Sequence, residues 1–506
     1  MEKPDNCVII IFGASGDLTK RKLIPAIFEL FKNNELPEKF AVLGTAGSSL
    51  TDEDFRVSMS EAIRAADKKA GEKTINEFIS RLSYFSMDFK DSSSYNELSV
   101  KINNLGHACG KSRNYIFYLA TLPALFPDIS VNLGKAGLNK NDGGYSRIIV
   151  EKPFGYDLNS AIELNRIMHE NFDESQIYRI DHYLGKETVQ NIMVTRFSNG
   201  IFEPIWNRNY IHHIEVTSAE NMGIENRGGY YESSGALRDM VQSHLLRLVT
   251  LIAMEPPSSF DPDAVRNEQL KVLQSLRRLK PEEIEKSVIR GQYTASKING
   301  KEIKGYRDEK NVAPDSRTET YAAIKFYIDN WRWGGVPFYI RTGKHMPTRV
   351  TEAVIHFRKT PHYLFKEGKE AGDNQLILRI QPDEGILLKI GMKEPGSGFK
   401  VHSVNMDFHY KDITNVHIAE AYERLIYDCM TGDTTLFLRA DAVEEAWRFV
   451  EPIQKAWAND ENVKIYGYPA GTWGPNVADQ LIEGGEKITW RYPCKNLADD
   501  GVYCEL

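Results

Sequence analysis

The chain has 506 residues, length enough for two or three domains, and 42% hydrophobic with 26% charged residues is ordinary globular composition with material for a core. A formal net charge of −7 excludes nucleic acid and anionic membrane surfaces as main partners, so an anionic substrate needs a local cluster of cations. The longest apolar stretch, Leu245 to Met254, is interrupted by Arg247 and Thr250 and falls short of the ~20 residues that span a bilayer. The opening MEKPDNCVIIIF lacks the basic-then-apolar layout of a secretory leader. Cys7, Cys109, Cys429, Cys494 and Cys504 are widely spaced and show no metal-ligand pattern, which predicts a reducing, cytoplasmic setting.

Cys7 to Phe12 is a continuous apolar run rich in β-branched residues, as expected for a strand buried on both faces of a parallel sheet. The turn GASGDL, residues 13 to 18, follows. Leu23, Ile24, Ile27, Leu30 and Phe31 then recur at helical spacing, with Pro25 suited to the first turn. Glycines at such a turn let backbone approach a phosphate, which the helix N-terminus can bind. The spacing is Gly-x-x-Gly rather than the full Gly-x-Gly-x-x-Gly fingerprint, yet its place after a buried strand, with Lys20, Arg21 and Lys22 beyond, points to a dinucleotide.

Phe40 to Leu43 reads as the second strand. The stretch after it, GTAGSSL at 44 to 50, holds neither an acid for ribose hydroxyls nor an Arg for a 2′-phosphate. Thr45, Ser48 and Ser49 can hydrogen-bond either ligand, so these residues leave NAD and NADP open. Tyr115 to Ala120 and Arg147 to Val150 are further strands separated by helical patterns. The alternation predicts a doubly wound, Rossmann-like α/β dinucleotide-binding domain over residues 1–178. EKPFG, 151 to 155, sets Lys152 just past a parallel strand, where open α/β sheets bind ligands.

A second, α+β domain is expected over 179–506, opening on RIDHYLGKE. Ile211 to Ser218, Thr320 to Ile328, Phe338 to Arg341, Ala353 to Phe357, Gln375 to Ile380, Ile386 to Ile390 and Lys400 to Phe408 read as short strands of an antiparallel meander. Helices are expected near His417 to Met430 and Val443 to Trp457. A broad sheet with helices on one side leaves a face to cover, which predicts a homodimer or a dimer of dimers. The segment 235 to 254 reads as a helix with Leu245, Leu248, Val249 and Ile252 on its apolar face and His244 beside it. Asp239 lies five residues earlier, about 140° round an ideal helix, so it shares a ligand with His244 only along the helix or across a distorted turn. RTGK at 341 to 344 adds Lys344 beside a glycine. His212 and His213 are neighbours whose side chains alternate across a strand, a poor chelate, and no metal is expected.

RIDHYLGKE, GASGDL, EKPFG, NRGGYYE, RDMVQSH and WRWGGVPFYIRTGK (331 to 344) are the motifs of the glucose-6-phosphate dehydrogenase family, which the chain resembles from about residue 7 to the GTWGP at 471 to 475. The resemblance implies oxidation of the C1 hydroxyl of D-glucose 6-phosphate to 6-phosphoglucono-1,5-lactone with hydride passing to NADP, the first oxidative step of the pentose phosphate pathway. It implies His244 as general base and Asp181 as the acid that orients it. Lys152, His182, Tyr183, Lys186, Glu220, Asp239 and Lys344 become the sugar-phosphate residues, with His182, Tyr183 and Lys186 on the phosphate. His182 and Lys186, four apart, share a face if their segment is helical. Gly13, Ala14, Ser15, Gly16, Asp17, Leu18, Lys20, Arg21, Asp88, Phe89, Pro123 and Lys152 become the dinucleotide residues.

Two departures matter. Gly47 stands where many members carry an Arg, which makes NAD the alternative cofactor, and Ser243 precedes the base where some members have Asn. Leu387 stands where an aromatic would stack beside Arg379 and Lys389, so a second, structural NADP is not expected. The alternatives are the same chemistry on another hexose 6-phosphate and a non-catalytic sugar-phosphate or dinucleotide sensor.

Overall fold

The structure is a computed structural model that describes residues 3–111, 113–140, 143–298, 300–362, 364–365, 374–396, 398–412, 419–460, 462–483 and 489–493. It contains two compact units: Met1–Glu187 with Pro257–Asn267 and Ile418–Glu444, and Thr188–Pro256 with Glu268–His417 and Glu445–Leu506.

In the first unit β1 (Cys7–Phe12) is an interior strand of a seven-stranded sheet, and all six of its residues are buried. It pairs in parallel with β2 (Phe40–Ala46) and β4 (Tyr115–Leu119). Outside these lie β3 (Leu82–Ser86), β5 (Ser146–Val150) and β6 (Ile177–Ile180), in the order 3-2-1-4-5-6. That is the doubly wound arrangement, and strand order reverses between β1 and β4, where such sheets open a ligand crevice at the strand carboxyl ends. A two-residue strand, Phe437–Leu438, adds an antiparallel edge to β6. The sequence reading missed β3 and β6. LSYFS and IYRI are too short to show a period, and β6 straddles the expected domain break at 178. The helix Ala421–Thr431, expected in the second domain, returns to the first unit, because its partners are set by packing far away in sequence.

The second unit holds a nine-stranded sheet. Its strands are β7 (Ile211–Ala219), β8 (Val288–Thr294), β9 (Tyr321–Tyr327), β10 (Pro337–Gly343), β11 (Val350–Phe357), β12 (Gln375–Gln381), β13 (Gly385–Lys393), β14 (Val401–His409) and β15 (Tyr466–Pro469). Their spatial order is 14-13-12-11-7-10-9-8-15. The pairing is mostly antiparallel, as read. It departs from a meander at β7, which lies between antiparallel β11 and parallel β10, and at β15, which runs parallel to β8. Alternation of apolar residues fixes a strand's faces and says nothing of its neighbour, so a meander was the default that nonlocal pairing overrode.

Two buried helical segments cross this unit. Leu237–Leu245 is a wide π turn, and Leu246–Ala253 continues it as an α-helix in which every residue is buried. Its last carbonyls, left without intrahelical donors, accept from Trp206 Nε1 to Ile252 (2.8 Å), Trp333 Nε1 to Ala253 (2.8 Å) and Arg196 Nη1 to Leu251 (2.9 Å). Among the described residues no helix is long and apolar enough to cross a membrane. Cys7, Cys109 and Cys429 are buried thiols, and burial pushes Cys7 up to about 12, which suits small apolar fillers.

Candidate functional site

The β1 turn is built for close approach. Gly13 has φ +90°, and a Cβ there would sit 2.3 Å from the Ala120 carbonyl oxygen, so only glycine lets the ends of β1 and β4 meet. The Gly13 and Ala14 N–H groups donate to the Thr45 carbonyl of β2 at 2.8 and 3.1 Å, and Gly16 N–H donates to Gly13 at 2.9 Å. Ala14 is buried beneath the turn. Ser15, Asp17, Lys20 and Arg21 are exposed, Gly16 and Leu18 half-buried, and Arg21 pairs with Asp17 at 2.8 Å. Across from them the β2 loop contributes Ser48, whose Oγ lies 3.4 Å from Ser15 Oγ, and exposed Gly47, where an added Cβ meets nothing nearer than 4.0 Å. Two neutral hydroxyls and a glycine turn fit a dinucleotide's ribose and phosphates. Pro123 opens a short 3₁₀ turn after β4. Asp88 follows β3 and binds its own loop through Lys90 N–H (2.9 Å). Phe89 turns its ring into the core, edge-on to Phe12 at 5.4 Å, so that side chain does packing work.

At the end of β5, Glu151 is buried and accepts from Tyr118 OH at 2.6 Å. Burial pushes its carboxyl up, and the Tyr118 bond offsets part of that. Lys152 follows, half-buried. After β6 the chain makes two successive tight turns, Leu184 N–H to Asp181 O (3.0 Å) and Lys186 N–H to Tyr183 O (3.2 Å). The segment is therefore not helical, and helical alignment of His182 with Lys186 is replaced by another device. The rings of His182 and Tyr183 meet edge-on at 5.2 Å, and Lys186 Nζ lies 4.6 Å over the Tyr183 ring. Tyr183 is the hub that gathers the His182 imidazole and the Lys186 ammonium. Asp181 is buried, and its Oδ1 accepts from Tyr183 N–H at 2.9 Å. Gly185 is needed because a Cβ there would lie 2.9 Å from Ala421 O on the packing helix.

In the second unit, β7 and β10 run parallel side by side and end together, which sets Glu220 and Lys344 next to each other as an ion pair. Glu220 N–H donates to Gly343 O at 3.0 Å and Met346 N–H to Glu220 O at 2.9 Å, locking both strand ends. Lys344 is only 4% exposed and lies 5.5 Å over the Tyr231 ring. Its charge is tolerable there because the Glu220 carboxylate opposes it. Burial, then the Asp239 charge, pushes the Tyr231 hydroxyl far up, so it stays protonated. Asp239 accepts from Tyr230 OH at 3.2 Å. His244 is 1% exposed. The π turn that carries both, bonded i to i+5, brings residues five apart toward one face, one of the two arrangements that the Asp239–His244 spacing left open. Tyr118 lies in no motif, and Tyr231, though inside NRGGYYE, was assigned no role, since a buried tyrosine reads like any core aromatic.

The same unit contains a cluster of ligating side chains apart from these. His356 Nε2 is 2.8 Å and His213 Nε2 3.3 Å from one oxygen of buried Glu215, and the two rings stack at 3.9 Å and 17°. Burial pushes His213 down to about 4, so it is neutral at pH 7.

Family models give the context. The model described as "Glucose-6-phosphate dehydrogenase, NAD binding domain" matches residues 10–191, and "Glucose-6-phosphate dehydrogenase, C-terminal domain" matches 193–491. This chain belongs to the glucose-6-phosphate dehydrogenase family. A glucose-6-phosphate 1-dehydrogenase of Aggregatibacter actinomycetemcomitans is 50% identical over 491 residues, covering 97% of this chain and 98% of that one. One from Treponema pallidum is 47% identical over 504 residues, covering 99% and 98%. A solved glucose-6-phosphate dehydrogenase in complex with its substrate glucose-6-phosphate superimposes with TM-score 0.88 at 36% identity, covering 94% of this chain and 97% of its own. The Mycobacterium avium enzyme gives 0.83 at 36% identity, covering 97% and 99%. The family is one of oxidoreductases with a nicotinamide-dinucleotide domain, and the fold class read from the sequence stands.

Proposed function

We propose that this protein oxidises D-glucose 6-phosphate at C1 to 6-phosphoglucono-1,5-lactone, with NADP as acceptor, as the first oxidative step of the pentose phosphate pathway. The observation that carries the reading is end-to-end likeness, at 50% identity, to a glucose-6-phosphate 1-dehydrogenase, on a chain that keeps every proposed chemical group. The bound dinucleotide supplies the hydride acceptor. His244 takes the C1 hydroxyl proton as hydride leaves, a role for which an imidazole's near-neutral ordinary pKa is suited, and such a base contributes roughly 10²–10⁴-fold. Asp181 orients that imidazole and stabilises the imidazolium. His182, Tyr183 and Lys186 grip the phosphate, which needs positive donors because it carries about −1.5 to −2 charge. Glu220, Asp239 and Lys344 read the sugar hydroxyls, and Lys152 touches sugar and nicotinamide alike. Gly13, Ala14, Ser15, Gly16, Asp17, Leu18, Lys20, Arg21, Asp88 and Pro123, with the Phe89 backbone, line the dinucleotide.

NAD is the second cofactor reading. Gly47 with neutral Ser48 and Ser15 supports it, since these offer a 2′-phosphate no charge, while exposed Lys20 supports NADP. We also propose a homodimer, or a dimer of dimers, in the cytoplasm. Exposed Met392, Met406 and Phe408 on the edge strand β14 and its neighbour β13 support the first, and buried thiols support the second. The test is the absorbance of reduced nicotinamide after mixing the protein with glucose 6-phosphate and each nucleotide in turn. Turnover with NADP exceeding that with NAD is expected. No turnover with either would overturn the enzymatic reading in favour of a sensor.

A further inference from the structure

Two of the proposed sugar-side elements converge on one dipeptide that carries no motif. Glu319 is 7% exposed, and its Oε1 accepts from Leu237 N–H at 2.9 Å, the first residue of the π turn that bears Asp239 and His244. Its backbone oxygen accepts from Ala236 N–H at 3.0 Å. The preceding Gly235 has φ +63°, and a Cβ there would sit 2.4 Å from that same Oε1, so the carboxylate and the helix start are packed without slack. Burial pushes the Glu319 carboxyl up, and the Leu237 N–H offsets part of that. The next residue, Thr320, holds the other element. Its carbonyl accepts from Lys344 N–H at 2.9 Å. Tyr468 OH bridges from Thr320 Oγ1, 3.1 Å away, to the Lys344 carbonyl, to which it donates at 2.7 Å. The far end of the helix is pinned by Trp206 and Trp333, and the Glu319 contact holds the opposite end, the one that carries Asp239 and His244.

We propose that Glu319 and Thr320 are positioning residues that set the His244 segment in register with the Lys344–Glu220 pair, Glu319 governing the base and Thr320, through Tyr468, the sugar lysine. The proposal rests on the roles assigned above to His244 and Lys344. A side-chain acceptor at a helix N-terminus satisfies a donor that would otherwise be orphaned in the core. When it is lost the segment relaxes toward other hydrogen bonds, and a displacement of an ångström at a reacting group costs about 10²-fold in rate.

The experiment measures kcat and KM for glucose 6-phosphate, the kinetic isotope effect with substrate deuterated at C1, and thermal denaturation. It does so for Glu319→Ala, Glu319→Gln and Tyr468→Phe, with His244→Ala as reference. Glu319→Ala is expected to lower kcat about 10- to 100-fold with KM changed by less than about threefold, and to raise the isotope effect as hydride transfer becomes limiting. Glu319→Gln keeps an acceptor oxygen and should recover most of kcat. Tyr468→Phe should raise KM about three- to tenfold with kcat largely kept. A folded Glu319→Ala protein with wild-type kcat overturns the proposal, as does a Gln variant as impaired as Ala. If Glu319→Ala does not fold, wild-type parameters in Tyr468→Phe overturn it. A His244→Ala protein that keeps its rate would instead end the assignment of the base, a result distinguishable because it appears in the reference variant alone.

Discussion

His244→Ala removes the proposed base while leaving the phosphate donors, so kcat should fall by about 10²–10⁴ with sugar phosphate still bound. Retained turnover in a stopped-flow trace would refute the assignment. Lys186, 4.6 Å over the Tyr183 ring, is placed to counter a charge rather than to move a proton. Lys186→Ala should therefore chiefly raise KM for glucose 6-phosphate and do less harm with free glucose; equal losses on both would sever it from the phosphate. Gly47 offers a gain-of-function test. Its φ is not left-handed and a Cβ meets nothing nearer than the Met87 carbonyl oxygen at 4.0 Å, so a side chain can start there without backbone strain in Gly47→Arg. It should shift the NADP-to-NAD ratio of kcat/KM toward NADP by about tenfold, the worth of one charge-assisted contact of ~1.4 kcal/mol. An unchanged ratio would mean that this position does not face the 2′-phosphate. The candidate residues were readable from the sequence because each sits in a motif of distinctive residue types, but the side chains that support them were not. Glu151 under Lys152 and Glu319 under the His244 segment are single acids with no spacing to mark them.

For an element, the question is what holds it. The helix Leu246–Ala253 is apolar enough to be read from its period, and the sequence pattern found it. The π turn ahead of it was not readable, because widening by one residue is chosen by contacts at its two ends rather than by local propensity. Trp333 is one such contact. Trp333→Phe keeps an aromatic ring but removes the donor to Ala253 O and part of the indole's volume, which leaves a buried carbonyl unpaired beside a cavity and should cost at least about 1–3 kcal/mol, seen as a lower thermal midpoint. An unchanged midpoint would mean that water reaches that carbonyl. Turn chemistry behaved likewise. The expectation that His182 and Lys186 share a helical face rested on spacing alone, whereas two consecutive tight turns after Asp181 bring them together around Tyr183.

Over the whole molecule, pH and association test different features. His213 is held at about 4 against an ordinary 6.5, so between these values the unfolded chain binds more protons than the folded one, and stability falls as pH drops through that window. Glu215, which burial alone would push up, is held well below the carboxylate range by His356 and His213, and its contribution is lost at lower pH still. The thermal midpoint should be lower at about pH 5 than at about pH 7, and His213→Gln should flatten that difference. A midpoint independent of pH would remove the buried pair from the account. Light scattering should give a mass at least twice the 57.6 kDa of one chain, and Met406→Lys on β14 should lower it. A single-chain mass in the unaltered protein would end the dimer. The sequence by itself determined the family and the class of fold, because strand periods, glycine turns and short charged motifs are local requirements that leave local marks. Only the tertiary structure decided that the chain returns to its first unit after residue 418, that β7 lies between strands from far later in the chain, and that a dipeptide before β9 carries two elements at once. Those choices are made by long-range pairing and burial, where the free energy belongs to contacts between distant segments and no single segment records it.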